Sequence, residues 1–89
     1  MVTIELIQSI IEGLNSIEID NSVPRNVRIR IKTAIEILSN EQEKNFSIKV
    51  DKSLEQLSYV ADDPNIPQYT RMQIWNVVSQ LESDKVELN

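Results

Sequence analysis

The one basic cluster of the sequence consists of four closely spaced cations: Arg25, Arg28, Arg30 and Lys32. At helical spacing Arg25 and Lys32 lie along one line with Arg28 beside it, whereas Arg30 points elsewhere. Such a line can contact nucleic-acid phosphates. The alternative is a solvated face balanced by neighbouring glutamates, because the chain's net charge is −5 and no aromatic residue lies within the cluster to stack on bases.

A second candidate surface is apolar and consists of Tyr69, Met72 and Trp75, with Ile29 at a comparable outer position earlier in the chain. If these side chains face water, they form a patch with the aromatic and methionine content typical of protein interfaces. The alternative is that a helix with two neighbours buries a wide stripe, which places Trp75 at the margin of the core.

The sequence offers little for catalysis. It contains no Cys and no His, so it lacks the commonest metal ligand and the usual proton carrier near neutral pH. There is no glycine-rich phosphate loop and no nucleophile beside a base. Asp62 and Asp63 suit turn and capping roles better than acid–base chemistry. We therefore expect no catalytic residues, no metal site and no cofactor.

The elements that would position these residues repeat along the chain. A shift of 43 residues superimposes two phrases. The matched pairs include Asp20 on Asp63, Val23 on Ile66, Pro24 on Pro67, Arg28 on Arg71, Ile31 on Ile74 and Leu38 on Leu81. A D-x-x-[VI]-P-x-x-x-R turn at this period is similar to the helical pairs of HEAT repeats. Each copy is predicted to be a helix, a turn and a second helix.

The turn residues have predicted structural roles. Pro24 and Pro67 are expected at the first helical position, where the missing N–H is no loss. Asp20 and Asp63 supply capping chemistry ahead of them. Arg28 and Arg71 border the apolar stripe, so each guanidinium can fold back onto its turn and bond an aspartate or exposed carbonyls.

Apolar residues recur at about 100° per residue in four segments, which predicts four amphipathic helices. Two helical pairs are too few for a stable solenoid, so we expect an all-α, up-and-down four-helix bundle of two repeated αα-hairpins. The predicted organisation is one domain, 1–89, that comprises a hairpin at about 3–39, a polar hinge at 40–45, a hairpin at about 46–83 and an acidic tail at 84–89.

Three stretches, "SVPRNVR", "DDPNIPQYTRMQIW" and "VVSQLES", closely resemble small archaeal proteins grouped as uncharacterised protein family 0147. The resemblance covers nearly the whole chain and includes the doubled proline–arginine turn and Trp75. It implies a compact all-helical domain of unknown function, and it brings no catalytic residues with it.

Composition favours a cytoplasmic protein with no membrane contact. The acidic balance disfavours adhesion to anionic membranes, and no apolar run approaches the length that spans a bilayer. The expected function is a non-catalytic protein-interaction module whose partner is another protein or a second copy. The alternative is a protein associated with nucleic acid or ribonucleoprotein that uses Arg25, Arg28 and Lys32.

Overall fold

The structure, a computed structural model, describes residues 4–87, with side chains described from 5 to 83. It contains four helices and, over the described range, no strand. Their bounds are α1 Ile4–Glu18, α2 Arg25–Ser39, α3 Phe46–Ala61 and α4 Gln68–Glu87. The predicted all-α, four-helix fold is confirmed.

The helices close around one core. Each helix packs against the next in sequence, and α1 also contacts α4. The Cα radius of gyration is 12.4 Å, near the ~12 Å expected of a compact chain of this length. The buried apolar side chains come from all four helices and from two turn residues: Ile10, Leu14, Ile17, Val23, Val27, Ile31, Ala34, Leu38, Val50, Leu57, Val60, Ala61, Ile66, Ile74, Val77 and Leu81.

Several residues of the predicted stripes are only half-buried, and they pack against the edge of the core: Leu6, Ile7, Ile11, Ile35, Phe46, Leu54 and Val78. In a small bundle each helix has two helical neighbours at most, so the outer positions of a wide apolar stripe stay partly in solvent. Two of these edge residues, Leu54 and Val78, line a groove described below.

The prolines lie one position earlier than the sequence predicts. Helix α2 begins at Arg25, and Pro24 caps it with extended backbone angles, φ −55° and ψ 146°. The Pro24 carbonyl accepts hydrogen bonds from the N–H groups of Val27 and Arg28 at 3.1 and 3.0 Å. The pyrrolidine ring fixes φ but not ψ, so proline fits the capping residue as well as the first helical one. Pro67 likewise precedes Gln68, the first residue of α4.

The second helical pair begins at a side-chain cap on α3 and ends within the predicted acidic tail. Residues 40–45 connect α2 to α3, and the Asn45 side chain caps α3 by accepting from the Ile48 N–H at 3.3 Å. Helix α4 continues to Glu87, so it includes residues 84–87 of the predicted acidic tail. Residues 88–89 of that tail, and the start of the first predicted hairpin at residue 3, lie outside the described residues.

Gly13 provides a stability test in α1. A Cβ built at this position meets no neighbouring atom within 4 Å. Glycine within a helix is less favourable than alanine because its unfolded backbone is freer. We therefore expect Gly13→Ala to raise the free energy of unfolding by about 0.5–1 kcal/mol, measured by urea denaturation. An unchanged or lower denaturation midpoint would show that the site does not tolerate a methyl group.

Candidate interaction surfaces

The turn between α3 and α4 is held by Arg71. Its guanidinium is partly buried and donates to the backbone carbonyls of Ala61 and Asp63, the latter at 2.9 Å. The Asp63 carboxylate accepts from the Asn65 N–H at 2.8 Å and from the Asn26 side-chain amide at 3.2 Å. The second of these bonds joins the start of α2 to this turn, so Arg71 and Asp63 fix the base of α4.

The turn between α1 and α2 uses the matching residues differently. Arg28 donates one hydrogen bond, from Nε to the Val23 carbonyl at 3.1 Å. The Asp20 carboxylate accepts from the Ser22 hydroxyl at 2.7 Å and from the Ser22 N–H at 2.9 Å. These two bonds, the hydroxyl first, lower the pKa of Asp20 below its usual value, and the Arg28 charge adds to them. In both turns the arginine bonds backbone carbonyls and not the aspartate side chain.

The predicted apolar residues of α4 are exposed. Tyr69, Met72 and Trp75 are 71%, 59% and 54% exposed, and their i, i+3 spacing makes them neighbours along one side of the helix. Trp75 is therefore not buried at the core margin. The wheel places it just outside the arc that α4 turns towards α1 and α3, and among the described residues no other helix contacts α4.

Trp75 forms one wall of a groove between α3 and α4, here called the Trp75 groove. Its other lining residues are Leu54, Ser58, Ala61, Asp62, Val78 and Glu82. The volume is about 150 Å³. Besides Trp75, its apolar lining residues are Leu54, Ala61 and Val78, here called the floor of the groove. Among the lining residues whose side chains the structure describes, the charged ones are both acids, Asp62 and Glu82.

The predicted basic line lies beside a second, shallow groove of about 420 Å³ between α1 and α2. This basic groove is lined by Glu18, Arg25, Arg28, Ile29 and Lys32. Arg25 and Lys32 are exposed, and Ile29 lies between them with 54% of its surface in solvent. The four predicted interface residues therefore do not share one groove, since Ile29 lines the basic groove and Trp75 its own.

Arg30 is separate from this line, as its helical angle predicts. Its guanidinium donates to the Gln56 side-chain oxygen at 3.1 Å and lies 4.4 Å from the centroid of the Tyr59 ring. Both partners are on α3, so Arg30 joins α2 to α3. It contributes to packing between helices and lines neither groove.

Nearly the whole chain is similar to known proteins. A family model described as an uncharacterised protein family, UPF0147, matches residues 2–83. The chain belongs to the UPF0147 family. Two archaeal UPF0147 proteins illustrate the match. The one from Methanosarcina acetivorans is 41% identical over 93% of this chain and 84% of its own length. The one from Thermococcus kodakarensis is 37% identical over 91% and 98%.

A solved structure agrees with the helical architecture. The crystal structure of the unknown-function protein MMP1188 superimposes with a TM-score of 0.83 at 32% identity. It covers 92% of this chain and 93% of that one. The family is one of unknown function, so the relatives establish the fold and leave the activity to be argued from this chain's own side chains.

Two features are absent from the described part of this UPF0147 protein. Among those residues, no group of three or more acidic, His or Cys side chains is arranged to hold a metal ion. None of the described helices is both long enough and apolar enough to cross a membrane.

The sequence did not predict the Trp75 groove itself. Leu54, Ser58 and Ala61 recur at spacings of four and three, which places them on one side of α3. The sequence signal for the groove was this set of one large and two small residues on one side of α3, opposite an exposed Trp. It was hidden because Leu54 and Ala61 also belong to the apolar stripe of α3.

Proposed function

We propose that this UPF0147 protein is a non-catalytic protein-interaction module that binds its partner through the Trp75 groove and the adjoining face of α4. The observation that carries the proposal is the exposure of Tyr69, Met72 and Trp75 along one side of a helix, next to an apolar groove. Monomeric proteins rarely leave such aromatic patches uncovered, and aromatic and methionine side chains are enriched where proteins meet.

The lining of the groove indicates the chemistry of the partner. A volume of about 150 Å³ accommodates one apolar side chain, since apolar cavities of about 150 Å³ take up benzene. Asp62 and Glu82 are exposed at the same groove, and the whole chain carries a charge of −5. The partner segment that fits is an apolar anchor flanked by Lys or Arg, because complementary charges favour encounter and orientation.

The nucleic-acid alternative has weaker support. Arg25 and Lys32 are exposed on one line, which suits phosphate contacts. Glu18 lies in the same groove, however, and Arg28 already donates to the Val23 carbonyl. No aromatic residue lines the basic groove, so it offers no stacking platform for bases.

The proposal is tested by affinity capture of the tagged protein from its native cell extract, with and without nuclease. Three baits are compared: the wild type, Trp75→Ala and Tyr59→Ala. Tyr59 is a matched control because it is 56% exposed and aromatic but lines neither groove. We expect a reproducible protein partner that survives nuclease, is retained by Tyr59→Ala and is lost with Trp75→Ala. If nuclease removes everything captured, the basic line carries the function instead.

Trp75 also reports on its own contacts because it is the sole tryptophan. Its exposure predicts red-shifted emission in the free protein and a blue shift when a purified partner covers the ring. Emission that is already blue-shifted in a proven monomer, and that does not move on adding the captured partner, would contradict the proposal.

A further inference from the structure

We propose that one partner of the Trp75 groove is a second copy of this chain, which inserts Ile29 and places Arg25 and Lys32 against Asp62 and Glu82. The inference rests on the proposed function, because it names an occupant for the same groove. It is carried by a match between two surfaces of the molecule.

The first surface, here called the ridge, is the exposed edge of α2 that borders the basic groove, which Glu18 of α1 also lines. Ile29 is 54% exposed, and Arg25 and Lys32, four residues before it and three after it, are exposed on its two sides. An apolar side chain between two cations has the chemistry proposed above for the partner of the Trp75 groove. In this sequence the match arises because the ridge is basic and the groove is lined by acids.

The second surface is the groove. Its volume of about 150 Å³ fits a single aliphatic side chain, and Leu54, Ala61 and Val78 provide apolar contacts for it. Asp62 comes from the end of α3 and Glu82 from α4, so the acids flank the apolar floor from two helices. Two cations that flank an isoleucine can meet two acids that flank an apolar floor.

The two surfaces lie on different helix pairs, with the ridge on the α1–α2 side and the groove between α3 and α4. Each copy therefore carries one ridge and one groove, and the contact joins unlike surfaces. Head-to-tail contacts of this kind either close into a ring or extend as a chain. An interface centred on one side chain is small, and contacts below about 1,200 Å² are typically weak, so association should grow with protein concentration.

Sedimentation equilibrium over a range of protein concentrations tests the inference. The weight-average mass of the wild type should rise with concentration. Ile29→Glu disables the ridge and Trp75→Ala disables the groove, and each should raise the dissociation constant at least about tenfold. Ile48→Glu is the control, because Ile48 is exposed and lines neither surface. It should associate as the wild type does.

Mixing the two disabled variants gives the decisive result. The mixture contains one intact groove, on Ile29→Glu, and one intact ridge, on Trp75→Ala. We therefore expect a one-to-one pair that grows no further, although each variant alone stays monomeric. A symmetric contact of Trp75 with Trp75 would give no such rescue.

Three outcomes would overturn the proposed insertion of Ile29 into the Trp75 groove: a wild type that stays monomeric up to millimolar concentration, an Ile29→Glu variant that associates normally, or a mixture that remains monomeric. None of these removes the proposed function, because a monomer can still bind a different protein through Trp75. The proposed function fails separately, if Trp75→Ala captures the same partner as the wild type.

Discussion

Arg71→Ala should lower the melting temperature by roughly 10 °C, which corresponds to about 2 kcal/mol in a domain of this size. The guanidinium donates to the carbonyls of Ala61 and Asp63 from a partly buried position. Removing it leaves both carbonyls without that donor at the turn where α4 begins. Hydrogen bonds from a charged donor are worth more than neutral ones, and a buried acceptor left unpaired adds its desolvation penalty.

Two variants show whether the loss comes from these bonds. Arg71→Lys keeps the charge, but a single ammonium cannot reproduce the planar fork that serves two carbonyls, so it should recover only part of the stability. Arg28→Ala removes one backbone hydrogen bond at the matching position, and it should cost about half as much. Thermal unfolding followed by circular dichroism measures all three. An Arg71→Ala melt that overlays the wild type would refute the structural role.

The contrast between these arginines shows how far the repeated sequence could predict the turns. The shared D-x-x-[VI]-P-x-x-x-R phrase predicted arginines that fold back onto their turns and bond an aspartate or exposed carbonyls. It could not predict that Arg71 bonds two carbonyls and Arg28 one. The end of the preceding helix does not account for that difference, because α1 and α3 end at matching residues, Glu18 and Ala61.

The four helices were predictable because the apolar period repeats over four long segments, and that period has one physical reading. The exposure of Trp75 could not be predicted from the sequence. A helical wheel gives the angle of a side chain about its own axis, but it does not say which neighbouring helix covers that angle. Trp75 lies just beyond the covered arc, so burial and exposure remained open until the packing of α3 against α4 was known.

The Trp75 groove could not be predicted from the sequence, for a related reason. It requires Leu54 and Ala61 of α3 to face Val78 and Trp75 of α4 at a particular distance, and pattern alone does not fix an interhelical distance. The acidic character of its lining depends on the same packing. The sequence indicates that Asp62 is a turn residue, and only the fold shows that it lines the same groove as Glu82.

Alanine substitutions at two adjacent residues of α4 should affect stability and binding differently. Ile74 is fully buried and Trp75 is 54% exposed. Ile74→Ala should lower the free energy of unfolding by about 2–5 kcal/mol, because it removes buried methyl groups and leaves a cavity. Trp75→Ala should cost only about 1 kcal/mol, since much of the ring is already in solvent and alanine is the better helix former.

The binding results should run in the opposite order. Below its melting temperature, Ile74→Ala should still capture the partner, because the side chain lies under the helix and does not reach the groove. Trp75→Ala should remain folded and lose the partner. Urea denaturation combined with capture at low temperature measures both properties on the same preparations. If Trp75→Ala were as destabilising as Ile74→Ala, Trp75 would belong to the core, and the α4 surface would lose the residue on which its binding role depends.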